Sequence, residues 1–419
     1  MRKYPKGPFP LPLLGNLKLL GKKPFLDFIK LSKTYGDVFS MSFGMKRVVV
    51  INSYEAIKEA LVTRGHDFAG RPNDNIPLGI QTNNFQDLAT KDYSKSWSFL
   101  RKLTYKSLHF YGTGIKNVED LVMEDVEEMV SLLSKEVGNP ILIHKYFGNT
   151  SINTINNICF SKRYLPTDPE FLDILRFSHH LNLGCAPGQL ITVFSMVTIL
   201  SYGKMLASRK SLKCNWNTIS FAGMETNYTT LRWLAIYLLN YPEYQTKIHQ
   251  EILTKIGAKR SIKPEDINLL PFVHATVLET NRYASAAPFG IPHKAIVDTS
   301  VGGHPIPKGS KVFLNFYNCN HDPTHWDEPE KFKPERWLNA DGIVNKEKKA
   351  THYLPFGAGT RVCIGQKLAE FQLFSSLTNL MRNFEISLPL GEPLPGMQDG
   401  ILGITYEPAT KYKVVLSRR

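Results

Sequence analysis

The stretch Phe356-Gly357-Ala358-Gly359-Thr360-Arg361-Val362-Cys363-Ile364-Gly365 sets a lone cysteine after a glycine-containing loop and before a helical pattern. Free backbone N–H groups and the dipole at a helix start stabilise a thiolate. Gly359 and Gly365 allow tight turns and the close approach of a flat ligand. Arg361, two residues before the sulfur, offers a fixed cation suited to a carboxylate at that ligand's edge. Phe356 can pack over the sulfur and keep water away. The chemistry this spacing suggests is metal ligation by a sheltered thiolate. A heme iron takes such a sulfur as a strongly electron-donating axial ligand.

These residues resemble the signature F-x-x-G-x-R-x-C-x-G of the cytochrome P-450 (heme-thiolate monooxygenase) superfamily, matched at Phe356, Gly359, Arg361, Cys363 and Gly365. The resemblance implies heme b with Cys363 as the iron ligand, and Phe356, Gly357, Arg361 and Gly365 around it. Further matches follow in the family's order. Trp97 and Arg101 fit W-x-x-x-R; four apart on a helix, they would direct an indole N–H and a guanidinium at a heme propionate. Ala222-Gly223-Met224-Glu225-Thr226 fits the oxygen-activation motif A-G-x-[DE]-T. Its two small residues would let a helix pass close over the iron face, and Glu225 and Thr226 would relay protons to dioxygen. Asn227 stands where Thr or Ser is usual. Glu279 and Arg282 fit E-x-x-R and share a helix face, so they can pair. Arg336, in Pro334-Glu335-Arg336-Trp337, would complete a buried structural network with them. His293 sits where the family often places another propionate donor.

The elements that must position these groups are legible in outline. Val118, Leu121, Val122, Val126, Met129, Val130 and Leu133 recur at helical spacing, with Glu119, Asp120, Glu124, Asp125, Glu127 and Glu128 on the expected solvent face. A second long pattern runs from about Ile219 to Leu239 and stops before Pro242. Helical stretches continue to about Tyr283, the region from Ala295 to Leu314 reads as short strands and turns, and a last helix starts just after Cys363 and runs to about Met381. Near the start, Phe39, Met41 and Phe43 alternate with Ser40 and Ser42 as in a half-buried strand. Gly44-Met45 then turns the chain into Val48–Ile51. Asn52 or Ser53 can cap a helix through Ala60. Pro5 to Pro12 should be a stiff extended arm. The fold class expected is mainly α with small β-sheets, the cytochrome P-450 fold, as one domain over 1–419 with a Pro-rich hinge at 1–16.

The chain has 419 residues, 51 Lys+Arg against 37 Asp+Glu and a formal charge of +14, with 42% hydrophobic residues. That balance excludes disorder and a multi-span membrane protein. The basic residues are scattered rather than striped, which counts against nucleic acid. Cys159, Cys185, Cys214, Cys319 and Cys363 are odd in number and widely spaced, which counts against a disulfide framework. No apolar signal segment follows Met1-Arg2-Lys3. The run Leu190 to Leu200 is too short to span a bilayer and reads as a buried or interfacial helix. His321 and His325 have Pro323 between them and read as a loop rather than a zinc pair. No G-x-S-x-G or P-loop is present, and Gly357-Ala358-Gly359 lacks the third glycine of a dinucleotide fingerprint.

Within the family the chain is most similar to the animal microsomal branch, in the group of steroid 17α-hydroxylase/17,20-lyase type. Phe68-Ala69-Gly70-Arg71-Pro72, Ile291-Pro292-His293-Lys294-Ala295, Val297-Asp298-Thr299-Ser300 and Tyr353-Leu354-Pro355-Phe356-Gly357 carry that likeness. Two departures stand out. The membrane anchor that precedes the hinge in microsomal members is expected to be lacking. Leu190 to Leu212 resembles the substrate-roof region, yet Lys213-Cys214-Asn215-Trp216-Asn217 runs almost directly into Ala222-Gly223. Several helices before the oxygen-activation helix are therefore expected to be missing, with the deletion near 212–217.

The resemblance implies insertion of one oxygen atom of O2 into a lipophilic substrate, with a steroid as candidate. Electrons would come from NADPH through NADPH–cytochrome P-450 reductase, docking on a basic surface for which Lys102, Lys106 and Lys367 are candidates; cytochrome b5 is a further candidate partner. Peripheral contact with the endoplasmic reticulum membrane is expected by resemblance, with the cytoplasm as the alternative for a chain without an anchor. Two alternatives stay open: a heme- or lipid-binding remnant without turnover, favoured by the missing roof, and a peroxide isomerase, against which the Glu225–Thr226 pair counts.

Overall fold

Prolines fix φ and withhold donors, so the start of the chain cannot be helical. In the computed structural model, which describes residues 4–74, 82, 84–110, 118–184 and 218–419, the arm is extended and leads to helix α1 (Pro24–Tyr35). It then covers one face of strand β1 (Val38–Phe43). The Ser40 hydroxyl donates to the Pro5 carbonyl at 2.8 Å, and the Ser42 N–H donates to Asn16 Oδ1 at 2.7 Å. This is why β1 is buried on both faces, where the alternation predicted one. β1 pairs antiparallel with β2 (Lys46–Ile51), Val38 facing Ile51.

Ser53 caps α2 (Tyr54–Lys58), its hydroxyl accepting from Ala56 N–H at 3.4 Å. The helix does not continue regularly to Ala60: Glu59–Thr63 forms a π turn. Then come α3 (Lys95–Phe110), α4 (Val118–Ser134), α5 (His144–Phe160), α6 (Pro169–Gly184), α7 (Thr218–Asn240), α8 (Pro242–Lys255) and α9 (Pro271–Ala284). The apolar stripe of α4 is buried as its spacing requires, but Asp125 is buried with it. Thr154 Oγ1 donates to Asp125 at 3.0 Å and Arg163 pairs with it at 2.6 Å. Partners from two distant segments thus draw inward an acid that local spacing assigned to solvent.

Short strands follow: β3 (His293–Lys294), β4 (Thr299–Val301), β5 (His304–Ile306) and β6 (Lys311–Leu314). β6 joins the first hairpin in parallel beside β2, giving a sheet of order β1-β2-β6-β3. The chain ends through α10 (Phe316–His321), α11 (Lys346–Ala350), α12 (Gln366–Asn383), β7 (Phe384–Ser387), β8 (Gly400–Leu402), β9 (Tyr406–Pro408) and β10 (Val415–Arg418). The main core gathers Val122 and Val126 of α4, Trp233 and Tyr237 of α7, Val273 and Val277 of α9, and Phe374 and Leu377 of α12. The molecule is mainly helical with small sheets. Among the described residues no helix is long and apolar enough to cross a membrane. The apolar run Leu190–Leu200, the roof-like segment to Leu212 and the junction at 212–217 lie outside the described residues.

Candidate functional site

The Cys363 loop is built on two left-handed glycines, Gly357 (φ 68°) and Gly359 (φ 65°). Gly359 has no room for more: a Cβ there would lie 1.7 Å from the Leu61 carbonyl oxygen, in the π turn. A short 3-10 turn, Gly359–Arg361, follows, and Cys363 N–H donates to the Phe356 carbonyl at 3.0 Å to close the loop. Phe356 itself is partly buried. Helix α12 begins three residues after the cysteine, with Gly365 as its N-cap, so the sulfur sits just ahead of the helix. Burial pushes the Cys363 thiol up, while the Gly365 N–H and the Arg101 charge oppose that rise. Solvent nevertheless reaches Cys363, and nothing lies within 4 Å of where a Gly365 Cβ would be. The thiol therefore borders an open recess.

Cations surround that recess. The Arg361 guanidinium lies 3.7 Å from the centre of the Trp97 ring, a cation–π contact. Its Nε donates to the Ala69 carbonyl at 2.8 Å and its Nη2 to the Lys91 carbonyl at 2.9 Å. Its Nη1 is buried with no hydrogen-bond partner among the described residues. Arg101 reaches from α3 and donates to the Val362 carbonyl. The Trp97 indole N–H donates to the Leu88 carbonyl at 2.9 Å. His293 is buried, with Nδ1 2.8 Å from the Phe68 carbonyl, which assigns the ring proton to Nδ1. Burial, then Arg71 and Arg361, hold its pKa well below the usual range.

Arg71 belongs to this cluster and was read from sequence only as part of a group likeness. It is buried and donates to the carbonyls of Ile291 (2.7 Å), Pro292 (3.0 Å) and Ala89 (3.2 Å). The available signal was only an arginine set between Gly70 and Pro72. Burial lowers the pKa of all three arginines, that of Arg361 to about 10, and Arg361 and Arg101 add to the effect at Arg71. None of the three makes an ion pair among the described residues. Asp92 and Asp87 offset part of the Arg361 charge from further off. Burial still disfavours these cations, and a carboxylate-bearing ligand in the recess would relieve that cost.

Helix α7 carries the second group. Its Glu225 and Thr226 do not meet, because adjacent residues on a helix diverge by about 100°. Glu225 is buried and accepts from the Ser178 hydroxyl, from Thr229 at 3.2 Å and from Thr405 at 3.3 Å. Burial, then the nearby Glu407, push its pKa up to about 7. Glu407 is held by Arg232 at 2.8 Å and by His179 at 2.9 Å. Thr226 donates back to the Ala222 carbonyl at 2.8 Å, leaving its oxygen lone pairs as acceptors. Ala222 is exposed, whereas Gly223 is required for packing elsewhere: its Cβ would lie 2.6 Å from Ile155 of α5.

The scaffold under the cysteine loop is held by Glu279. Arg282 donates to both its oxygens at 2.8 Å, Arg336 Nε donates to Oε1 at 3.0 Å, and the Trp337 indole donates to Oε2 at 2.9 Å. Both guanidiniums also bond carbonyls of the 327–331 loop, Arg336 to Glu328 at 2.9 Å and Arg282 to Pro329 at 3.1 Å. Lys102, Lys106 and Lys367 are exposed.

A mainly helical scaffold that sets a solvent-reached thiol beside arginines making no ion pair among the described residues fits the thiolate-ligated heme proteins, the heme's carboxylates being the anions that would complete it. The comparisons agree. The family model "Cytochrome P450" matches residues 5–207 and 201–414, two stretches that overlap at 201–207, ahead of α7. The chain is 30% identical to the steroid 17-alpha-hydroxylase/17,20 lyase of Ictalurus punctatus, covering 98% of this chain and 90% of the relative. It is 31% identical to the protein of that name from Squalus acanthias (97% and 90%), and 30% identical to cytochrome P450 1A1 of Sparus aurata (93% and 86%). The alignment with the first of these spans 466 positions, more than the 419 residues of the chain, so the relative carries residues that this chain lacks. This chain belongs to the cytochrome P450 family. It is a heme-iron oxidoreductase of monooxygenase type, supplied with electrons from NADPH through a reductase and acting on a lipophilic substrate.

Proposed function

We propose that the protein is a steroid hydroxylase of the 17α-hydroxylase/17,20-lyase type, folded as a single P450 domain over 1–419 that has lost helices before α7. The observation that carries the site assignment is the buried, unpartnered Arg361 Nη1 beside Cys363. The relatives named as steroid hydroxylase/lyase support the substrate class. The splitting of the family match into two stretches that overlap at 201–207, with the 466-position alignment, supports the loss. When bound, heme supplies dioxygen activation and insertion of one oxygen atom into a C–H bond.

The chain's own residues do the rest. Cys363 supplies the sulfur ligand, with Phe356, Gly357 and Gly365 shaping the space around it. Arg361 and Arg101 hold the carboxylates, and Trp97 keeps Arg361 in place through its ring face. His293 has no proton on Nε2 while neutral, so it donates to a carboxylate only as imidazolium, a state that an adjacent anion favours. Glu225 holds a proton near neutral pH, and Thr226 offers a hydroxyl oxygen that accepts one; because the two side chains diverge, transfer between them requires bridging water. Reductase, and cytochrome b5 as a second partner, would dock on the exposed lysines Lys102, Lys106 and Lys367, at the surface of the endoplasmic reticulum.

The test is the absorption spectrum of the reduced protein under carbon monoxide, followed by turnover with reductase, NADPH and a panel of steroids. A strongly red-shifted Soret band that disappears in Cys363→Ala is expected, with NADPH consumed in step with hydroxylated product. A Soret band unchanged by Cys363→Ala would refute the ligand assignment. Heme binding with no product from any steroid would refute the substrate class. No feature of the described residues favours the remnant reading.

A further inference from the structure

His321 and His325 part company in the structure. His321 is stacked on Tyr317 at 3.9 Å, its Nδ1 3.0 Å from the Tyr317 carbonyl. His325, in the turn after α10, instead meets two residues far away in sequence: Glu55 in the first turn of α2, and His352 between α11 and the Cys363 loop. The ligand atoms of the three lie within 4.8 Å of one another. Both Nε2 atoms converge on the same carboxylate oxygen, Glu55 Oε1, that of His352 at 3.5 Å and that of His325 at 3.8 Å. The two imidazoles are stacked with centroids 3.3 Å apart. Tetrahedral zinc with bonds of about 2.0–2.1 Å separates its donor atoms by about 3.3–3.4 Å, so closing the site requires the donors to draw together and one imidazole to rotate out of the stack until both ring planes contain the ion.

Two further observations point to a ligand. The Nε2 of His352 is shielded from solvent, and its contact with Glu55 at 3.5 Å falls short of hydrogen-bond geometry. His352 also adopts a left-handed backbone (φ 59°), uncommon for a residue with a side chain, which turns its ring toward the other two. Two imidazoles and one carboxylate suit Zn2+ rather than Mg2+ or Ca2+, which take oxygen ligands.

We propose that Glu55, His325 and His352 form a Zn2+ site with water in the fourth position. It would tie α2, the turn after α10 and the segment entering the Cys363 loop into one unit. The site lies outside the heme recess and does not depend on the reading of that recess.

The test uses the full chain without a polyhistidine tag, in the state in which it purifies, titrated with Zn2+ against a fluorescent chelator. Glu55 and His325 are exposed, so Glu55→Gln and His325→Asn should fold as the wild type, checked by circular dichroism. His352→Asn keeps a residue that tolerates the left-handed backbone. One equivalent of zinc is expected for the wild type, weakened tenfold or more by each substitution, with a zinc-dependent rise in melting temperature that the variants lack. X-ray absorption at the zinc edge should show nitrogen and oxygen neighbours without sulfur. Equal zinc affinity in the wild type and in the Glu55→Gln/His325→Asn double variant would overturn the proposal, as would a sulfur-ligated ion.

Discussion

Arg361 is the residue on which most contacts of the recess converge, since one guanidinium touches Trp97, Ala69 and Lys91 and still keeps Nη1 unused. Replacing it by alanine should loosen heme by roughly ten- to hundredfold, the scale of about 1.5–3 kcal/mol for one charge-assisted hydrogen bond, read as heme transfer to an acceptor protein. Arg361→Lys should recover little, because an ammonium cannot span both carbonyls and a carboxylate from a planar fork. The match to the family's motifs singled out Arg361, Arg101, Trp97 and Cys363 in the sequence, since spacing alone does not say that residues 101 and 363 come together. Arg71 was hidden because its burial comes from the carbonyls of 291 and 292, more than two hundred residues away. The divergence of Glu225 and Thr226 could have been read from helix geometry alone.

Helix α7 shows what an element contributes beyond its residues. Its ends were readable from Pro242 and the apolar pattern, but its neighbours were not, so Gly223 was assigned to the iron face when its bare Cα faces Ile155. Gly223→Ala should destabilise the fold by about 1–3 kcal/mol through overpacking, and Ile155→Ala in the same chain should recover part of that loss, measured by chemical denaturation. The same helix carries a pH dependence. Glu225 has its pKa raised in the folded state to about 7. Its stabilising contribution is therefore complete below the unfolded carboxylate range and is lost as pH climbs through 7. Glu225→Gln should accordingly show a smaller fall in melting temperature between pH 5 and pH 8 than the wild type.

Across the whole molecule, distant segments are fastened by buried charge. Glu279→Gln would leave Arg282 and Arg336 buried with a neutral partner, and a loss of about 3–5 kcal/mol is expected, measured by urea unfolding followed at several wavelengths. The mainly helical class and the order of elements were legible because helical periodicity and proline stops are local signals. The burial of both faces of β1 and of Asp125 was not, since each depends on a segment that returns from elsewhere. The π turn at Glu59–Thr63 joins these scales. A π turn holds one residue more than the regular helix that would replace it. Deleting one residue there would rotate the following side chains by about 100° and swing the Leu61 carbonyl off Gly359. Chain length in this turn thus bears on a position beside the cysteine three hundred residues later: a shorter helix in a relative should relieve the crowding at Gly359, leaving its left-handed φ as the remaining reason for glycine there.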